Sequence, residues 1–306
     1  MNILITGGMG FFGWNAAEYL RKQGITVHSA SSHPHRYPEE LRKEIISLQV
    51  LDQSSIQDAF DAIQPDIIIH AAAISAPMLC EQEPEKADAV NITGTQNVLN
   101  VASVLDIPVV FLSTDLVFNG DRNALENGFY TENDAPDARI VYGKTKMRAE
   151  QILLERQYSH AQYERWIILR TALMFGQGVA WANGFPQFAV NLLKKGQTTT
   201  LFTDQFRTPA YIPDIANAIL QLCEQQKYGE IYHCGGLERI DRVSFVEQYC
   251  AVAGIDTSGI IACRMEDIPT YTTRVCDVSL NSHKLRNALQ GKWSATPLHE
   301  AFQTMC

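Results

Sequence analysis

Residues 3–13 decide the fold, and they read Ile3-Leu4-Ile5-Thr6-Gly7-Gly8-Met9-Gly10-Phe11-Phe12-Gly13. An apolar run typical of a buried strand leads into a glycine-rich turn, and an amphipathic helical pattern follows over 11–23. The glycines fit both GxGxxG and GxxGxxG. Either pattern lets the backbone approach a pyrophosphate, which the N-terminus of the helix attracts. The stretch therefore predicts a dinucleotide-binding unit with contacts from Gly7, Gly10, Phe11, Phe12 and Gly13.

Short apolar runs alternate with amphipathic stretches along the first 170 residues. The runs predict strands at 3–6, 26–29, 45–50, 66–70, 109–113 and 166–170, and the stretches predict helices at 11–23, 54–63, 84–105 and 142–156. Strands separated by helices indicate a parallel sheet that is covered on both faces. We therefore expect an α/β fold, a doubly wound parallel sheet of the Rossmann type.

The alternation loosens after residue 170. Helices are predicted at 185–195, 212–225, 242–253 and 297–305, and strands at 199–202 and 230–234. We interpret residues 1–170 as a dinucleotide-binding domain and residues 171–306 as a smaller α+β substrate-binding region. Segments near 198–225 are the ones that we expect to return to the first domain.

The composition is acidic: 25 basic and 34 acidic side chains among 306 residues give a formal net charge of −9. Nucleic acid is disfavoured as a partner, because phosphate backbones require a basic surface. No apolar run reaches the roughly 18 residues that span a bilayer, and residues 1–7 do not resemble a signal peptide. Seven dispersed cysteines lack a CxxC pair, and His33 and His35 lack a third ligand nearby. We expect a cytoplasmic protein without a metal, a membrane span or a nucleic-acid partner.

The end of the second predicted strand distinguishes between the two nicotinamide dinucleotides. An NAD site usually has an acidic residue about 20 residues after the glycine loop, where it binds the ribose 2′-hydroxyl. Residues 27–36 contain no acid, whereas Ser31, Ser32, His33 and Arg36 offer donors that suit a 2′-phosphate. We predict NADP(H), with NAD(H) as the alternative.

Two side chains with acid–base chemistry, Tyr142 and Lys146, lie four residues apart where a helix is predicted to begin. That spacing places them on one helix face, and a nearby ammonium favours the phenolate form of a tyrosine. The fifth predicted strand ends near Ser113, Thr114 and Asp115. Because α/β sites form at the carboxyl ends of parallel strands, we expect Thr114 to donate a hydrogen bond to a substrate carbonyl oxygen.

Taken in order, these motifs resemble the extended short-chain dehydrogenase/reductase family over most of the first 180 residues. The motifs are Gly7/Gly10/Gly13, His70-Ala71-Ala72-Ala73, Asn91-Ile92-Thr93-Gly94-Thr95-Gln96-Asn97, Ser113-Thr114-Asp115, Tyr142/Lys146, and Leu169-Arg170-Thr171 with Phe175-Gly176. Within the family the chain is most similar to the dTDP-4-dehydrorhamnose reductase branch, through residues 113–120, 130–134, 204–209 and 277–282.

The resemblance implies roles for individual residues. Thr114, Tyr142 and Lys146 would be catalytic. Further cofactor contacts would come from Gln49, Ala71, Ala72, Ala73, Ser113, Tyr142 and Lys146, and substrate contacts from Asp115, Phe118, Asn183, Gln205 and Arg207. The chain departs from the branch at Leu116, where an aromatic residue is usual, at Leu173, where Trp is usual, and at Gln49, where Asp is usual. The first two departures leave the identity of the sugar open.

By the same resemblance, we expect the chain to reduce a keto-sugar nucleotide, a dTDP-4-dehydro-6-deoxyhexose. Dehydration is disfavoured, because the dehydratases of this family carry an Asp-Glu pair and here Asp115 is followed by Leu116. Two alternatives stay open. One is a nucleotide-sugar epimerase of the same fold, and the other is a non-catalytic cofactor-binding regulatory subunit like the β-subunit of methionine adenosyltransferase. The resemblance also suggests a homodimer.

Overall fold

The computed structural model describes residues 1–121, 128–157, 163–268 and 275–306. Within them, the strands β1 to β13 are Asn2–Thr6, Thr26–Ser31, Ile45–Ser47, Ile67–His70, Val109–Thr114, Trp166–Thr171, Met174–Phe175, Thr199–Phe202, Phe206–Arg207, Ala210–Tyr211, Glu230–Cys234, Ile240–Asp241 and Ile260–Cys263. The helices α1 to α12 are Phe11–Lys22, Glu39–Arg42, Gln53–Ile63, Pro77–Gln82, Pro84–Asp88, Gly94–Val104, Val141–Gln157, Phe185–Lys194, Ile212–Glu224, Arg242–Ala253, His283–Ala288 and Leu298–Gln303. None of these helices is both long and apolar enough to cross a lipid bilayer.

The central sheet has seven strands in the order β11-β6-β5-β4-β1-β2-β3, and every neighbouring pair is parallel. The chain first builds outward from β1 through β2 to β3 and then returns to add β4 on the other side of β1. This reversal leaves a crevice at the carboxyl ends of β1 and β4, where ligands bind in doubly wound folds. The predicted Rossmann-type α/β fold is confirmed.

Helices cover both faces of the sheet. Because successive strand residues point to opposite faces, Ile3 and Ile5 of β1 pack in a cluster with α1 and α9, whereas Leu4 packs in a second cluster with α3, α6 and α7. Two-sided burial explains why the strands are nearly continuous apolar runs. The layer with α3, α6 and α7 is thus built from the first part of the chain, whereas the layer with α1 is completed by α9 from the C-terminal part.

The central sheet and its helices are not confined to residues 1–170. Strand β11 pairs with β6 from Glu230 to Cys234 and so completes the central sheet, although the sequence analysis assigned this segment to the substrate-binding region. Helix α9 packs on α1 in the layer that covers one face of the central sheet, whereas β8 pairs with β13 outside that sheet. The C-terminal region that remains has a core of its own, built by α8, α10 and α12 around Phe175 and Phe245.

The predicted helix 84–105 is interrupted. It consists of α5, a π-helical segment over Ala89–Thr93, and α6. Asn91 of the π segment accepts a hydrogen bond from Ile74 N at 2.8 Å and donates to Ile74 O at 3.0 Å and to Thr145 Oγ1 at 2.9 Å. The π segment therefore ties the loop after β4 to α7, which carries Tyr142 and Lys146.

Candidate active site

One cavity of about 1130 Å³ lies at the carboxyl edge of the sheet, between the sheet and the C-terminal region. Typical sites for one small molecule occupy roughly 300–1,000 Å³, so this cavity is at the upper end of that range, as a large ligand such as a dinucleotide requires. It is lined by most of the residues predicted from the sequence: Gly7, Gly10, Phe11, Phe12, Gly13, Ser31, Ser32, Gln49, Ala71, Ala72, Ala73, Ser113, Thr114, Asp115, Tyr142, Lys146, Asn183 and Arg207.

Three of the predicted residues do not line the cavity. Arg36 lies in the 3₁₀ turn Pro34–Arg36, and His33 and Tyr37 beside that turn face the cavity instead. Phe118 is fully buried and stacks on Tyr130 with 4.1 Å between ring centroids, so the structure gives it a packing position.

Gln205 is the third predicted residue that does not line the cavity, and it contacts a residue of the cavity wall from behind. Its Oε1 accepts a hydrogen bond at 2.8 Å from Nε of Arg242, which does line the cavity. The Arg242 guanidinium also lies over the Phe185 ring, 4.5 Å from its centroid. Sequence reasoning missed Arg242, because nothing in the pattern at the start of α10 marks it as a ligand-facing cation.

The glycine turn fits a pyrophosphate. Gly7 has φ +67°, and a Cβ added to Gly13 would lie 2.5 Å from the Gly7 carbonyl oxygen, so neither position tolerates a side chain. Helix α1 then begins without a side-chain cap at Gly10 and without an acid in its first turn. Its first amide groups and the positive end of its dipole are therefore available to an anion. The cradle matches the phosphates of a dinucleotide.

The far end of the cavity fits an adenosine ribose. Ser31, Ser32, His33 and Gln49 line it, and Gln49 Nε2 donates to Ser32 O at 2.6 Å. The Ser32 hydroxyl is 2.7 Å from Nδ1 of His33. No carboxylate is among the described residues that line this end. The donors and the missing acid suit a 2′-phosphate.

A strap over residues 177–184 crosses the glycine turn. The Trp181 indole N–H donates to Met9 O at 3.1 Å, and its ring meets Trp14 edge-on with centroids 5.0 Å apart. Asn15 exchanges two hydrogen bonds with the Gln177 backbone, at 2.8 and 3.0 Å. The strap joins the C-terminal region to the dinucleotide site and brings Asn183 to the cavity wall.

The acid–base pair lies at the inner end of the cavity, where α7 packs against the end of β5. Burial raises the pKa of Tyr142, and the nearby Asp115 carboxylate raises it further, so the phenol is protonated at neutral pH. Burial lowers the pKa of Lys146 to about 7, and the Glu150 charge opposes that shift. The Lys146 ammonium lies 3.8 Å from the centroid of the Phe111 ring.

Thr114 and Asp115 follow β5 and face the same space. The Thr114 hydroxyl donates to Asp115 Oδ1 at 3.1 Å and accepts from Leu116 N at 3.2 Å. Burial raises the pKa of Asp115, with the charge of Arg207 opposing, and the Arg207 Nε lies 3.3 Å from Asp115 Oδ2. Both Arg207 amino groups donate to backbone carbonyls, including Val275 O at 3.1 Å. Arg207 therefore acts on the cavity mainly through its charge.

Sequence reasoning also missed Gly143. A Cβ at this position would lie 2.0 Å from the Leu116 carbonyl oxygen, so α7 and the turn after Thr114 approach each other more closely than any side chain allows. That approach brings Tyr142 beside Thr114. The signal was present in the sequence as a glycine inside a helical pattern, which usually has a packing reason.

A Rossmann sheet, a glycine turn at the first βα junction, and a Tyr-x-x-x-Lys helix meeting a threonine at one cavity define the extended short-chain dehydrogenase/reductase class. The chain belongs to the family described as "RmlD substrate binding domain", whose model matches residues 1–305. The predicted membership in the dTDP-4-dehydrorhamnose reductase-like branch is thereby confirmed.

Relatives and solved structures agree with this assignment. The chain is 28% identical over 296 residues to the dTDP-4-dehydrorhamnose reductase of Aggregatibacter actinomycetemcomitans, covering 94% of this chain and 92% of that one. It is 26% identical over 268 residues to methionine adenosyltransferase 2 subunit beta of Rattus norvegicus, covering 82% and 71%. The fold matches the crystal structure of dTDP-4-dehydrorhamnose reductase from Bacillus anthracis in complex with NADP, with a TM-score of 0.82, 24% identity, and 99% and 97% coverage.

Proposed function

We propose that the protein is an NAD(P)H-dependent reductase of a keto-sugar nucleotide, a dTDP-4-dehydro-6-deoxyhexose. The observation that carries the proposal is that Thr114, Tyr142 and Lys146 line the same cavity as the glycine turn, whose shape suits a dinucleotide. The reductase among the 28% identical relatives, aligned over nearly the whole chain, supports the reaction and the substrate class.

Tyr142 serves as the acid of the reaction. Because its raised pKa keeps the phenol protonated, Tyr142 gives its proton to the substrate oxygen as the carbonyl becomes an alcohol. The Lys146 ammonium stabilises the phenolate left behind and would hold the ribose hydroxyls of the bound cofactor. Thr114 turns its hydroxyl from Asp115 toward the carbonyl oxygen, where negative charge develops. The nicotinamide supplies the hydride when it is bound.

The residues of the outer end favour NADP(H) over NAD(H). Ser31, Ser32 and His33 offer hydrogen-bond donors where the 2′-substituent of the ribose would lie, and this wall lacks the carboxylate that would bind a 2′-hydroxyl. Arg36 stands outside the wall, so the preference rests on the serines and the histidine. Asn183, Arg207 and Arg242, at the other end, are the candidate partners of the nucleotide-sugar.

The proposal is tested by following NADPH and NADH oxidation with a panel of 4-keto-hexose nucleotides and by assaying 4-epimerisation of nucleotide-hexoses. We expect NADPH oxidation with a dTDP-linked substrate. Tyr142→Phe should keep cofactor affinity and lose turnover by about 10²–10⁴-fold. Tyr19→Phe, on α1 and away from the cavity, is the matched control and should turn over normally.

Each other outcome points to a named alternative. Epimerisation without net oxidation would assign an epimerase. Binding without turnover on every substrate would assign a cofactor-binding regulatory subunit, the class suggested by the 26% identical methionine adenosyltransferase subunit. Unchanged turnover in Tyr142→Phe would remove Tyr142 from the mechanism.

A further inference from the structure

Behind the acid–base pair lies a buried network that the proposed reaction does not use. Glu150 is 2% exposed and lies one helical turn after Lys146 on α7. Its carboxylate accepts hydrogen bonds from Arg170 Nε at 3.0 and 3.2 Å, from Arg170 Nη2 at 2.7 Å and from the Ser113 hydroxyl. A carboxylate held by a bidentate arginine and a serine has a fixed position.

The network continues into the sheet. Arg170 Nη1 approaches His233 Nε2 at 3.4 Å, and His233 Nδ1 donates to Tyr130 O at 3.1 Å. Since Nδ1 carries the hydrogen, Nε2 accepts from the guanidinium and the imidazole is neutral, as burial also requires by lowering its pKa. Glu150 is thus the carboxylate that hydrogen-bonds to Arg170, and Glu132, which accepts from His233 N at 2.7 Å, adds a more distant negative charge.

The groups around Lys146 leave Glu150 as the carboxylate that acts on it. On α7 the other titratable neighbour is the protonated Tyr142, whose own carboxylate neighbour is Asp115. On β4, burial and the charge of Lys146 lower the pKa of His70 to about 3, so its imidazole is neutral. On β5, Phe111 meets the ammonium with its ring face. The charge of Glu150 favours the ammonium form of Lys146, which burial disfavours.

The same carboxylate also fixes the orientation of the Ser113 hydroxyl group. An ionised carboxylate can only accept hydrogen bonds, so the Ser113 hydroxyl donates its one hydrogen to Glu150. At the cavity wall, which Ser113 also lines, its oxygen can only accept a hydrogen bond. Glu150 therefore reaches the cofactor side of the site through two different residues.

We propose that Glu150 is a positioning residue, which holds Lys146 in its charged form and turns Ser113 to accept a hydrogen bond from the cofactor. The inference rests on the proposed cofactor site but not on the sugar. Its first readout is cofactor affinity: the dissociation constant of NADPH, measured between pH 5.5 and 9, should rise as Lys146 of the free enzyme loses its proton. In the wild type this break is expected near pH 7.

Glu150→Gln keeps the shape and an oxygen acceptor but removes the charge. Charges one turn apart, about 6 Å, interact by roughly 2–3 kcal/mol at an effective dielectric constant of about 20, which corresponds to about two pH units. We expect the break in NADPH affinity, and the alkaline limb of kcat/KM, to move down by about one pH unit or more. Glu155→Gln, which removes an exposed carboxylate from the same helix, is the matched control and should leave both in place.

A second variant separates positioning from folding. Because Glu150→Gln leaves Arg170 buried without its counter-charge, Glu150→Met combined with Arg170→Met removes the whole ion pair, a replacement that folded proteins often tolerate. This double variant should also move the break in NADPH affinity downward, but by less than Glu150→Gln does, because the positive charge of Arg170, which repels the Lys146 ammonium, is removed as well. If either folded variant lost NADPH affinity at the same pH as the wild type, the proposal would be overturned. Wild-type NADPH binding without turnover on any sugar would instead count against the proposed reaction and leave the affinity test of Glu150 decisive.

Discussion

Gly143 is the position at which one added methyl group tests the catalytic geometry. A Cβ there would lie 2.0 Å from the Leu116 carbonyl oxygen and 2.9 Å from its carbonyl carbon, whereas ordinary contact begins near 3.4 Å. Both neighbours are backbone atoms, which cannot rotate away as a side chain does. In Gly143→Ala, α7 and the turn after β5 must therefore separate by about 1.4 Å.

That separation acts on the residues proposed to carry the reaction. Gly143 follows Tyr142, and Leu116 follows Thr114 and Asp115, so the phenol proposed as proton donor moves away from the hydroxyl proposed to bind the carbonyl. A misplacement of about 1 Å can cost about 10²-fold in rate, and overpacking costs about 1–3 kcal/mol of stability. The better helix propensity of alanine offsets at most about 1 kcal/mol. We expect kcat to fall about 100-fold and the free energy of unfolding to fall by about 1–2 kcal/mol.

The assay pairs turnover with unfolding. NADPH oxidation with the accepted keto-sugar gives kcat and KM, and urea unfolding at the same pH gives the free energy of unfolding. Lys144→Ala is the matched control, because the next residue along α7 is exposed and its truncation adds no volume. If Gly143→Ala kept the wild-type kcat, the close approach of α7 to Leu116 would have no part in positioning Tyr142.

Two further predictions concern acid stability and cofactor choice. Since the pKa of His70 is lowered from 6.5 to about 3, His70 contributes about 2 kcal/mol to the stability lost between pH 7 and 5. The pKa of buried His233 is lowered too, and its contribution remains in both proteins, so in urea unfolding His70→Gln should lose about 2 kcal/mol less than the wild type over this range. An equal loss in both proteins would contradict this prediction. Ser32→Asp places a carboxylate where the 2′-phosphate would lie, so the ratio of kcat/KM for NADPH to that for NADH should fall at least tenfold, equivalent to about 1.4 kcal/mol. An unchanged ratio would place the 2′-substituent elsewhere.

Short-range sequence patterns correctly predicted those strands, turns and helices whose conformation depends on neighbouring residues alone. The strand, turn and helix over residues 3–13 follow from apolar periodicity and from positions that only glycine can occupy, and the structure has them as β1 and α1. The Tyr142/Lys146 spacing likewise places both residues at the cavity, because a helix fixes which residues share a face.

What the sequence could not supply depends on long-range pairing. Nothing in the run Glu230–Cys234 states that its partner is β6, so its place in the central sheet was missed. Phe118 was misplaced for a related reason. The 3₁₀ turn Asp115–Val117 redirects the chain after Thr114, so Leu116 faces the cavity and Phe118 enters the core. Arg242 reaches the wall from another part of the chain, held by Gln205, and no spacing rule connects the two.

The chain and its proposed ligands are both negatively charged, so binding requires positive charge at the cavity itself. The formal net charge is −9, and the ligands are diphosphates. Among the described residues that line the cavity, the cations are Lys86, Lys146, Arg207 and Arg242, and Asp115 is the one carboxylate. Surface charges more than about 8–10 Å away are largely screened by salt, whereas charges in a low-dielectric wall are not. We therefore attribute the proposed anion binding to the N-terminus of α1 and to Lys146, Arg207 and Arg242, since Lys86 is largely exposed and paired with Glu83 at 2.8 Å.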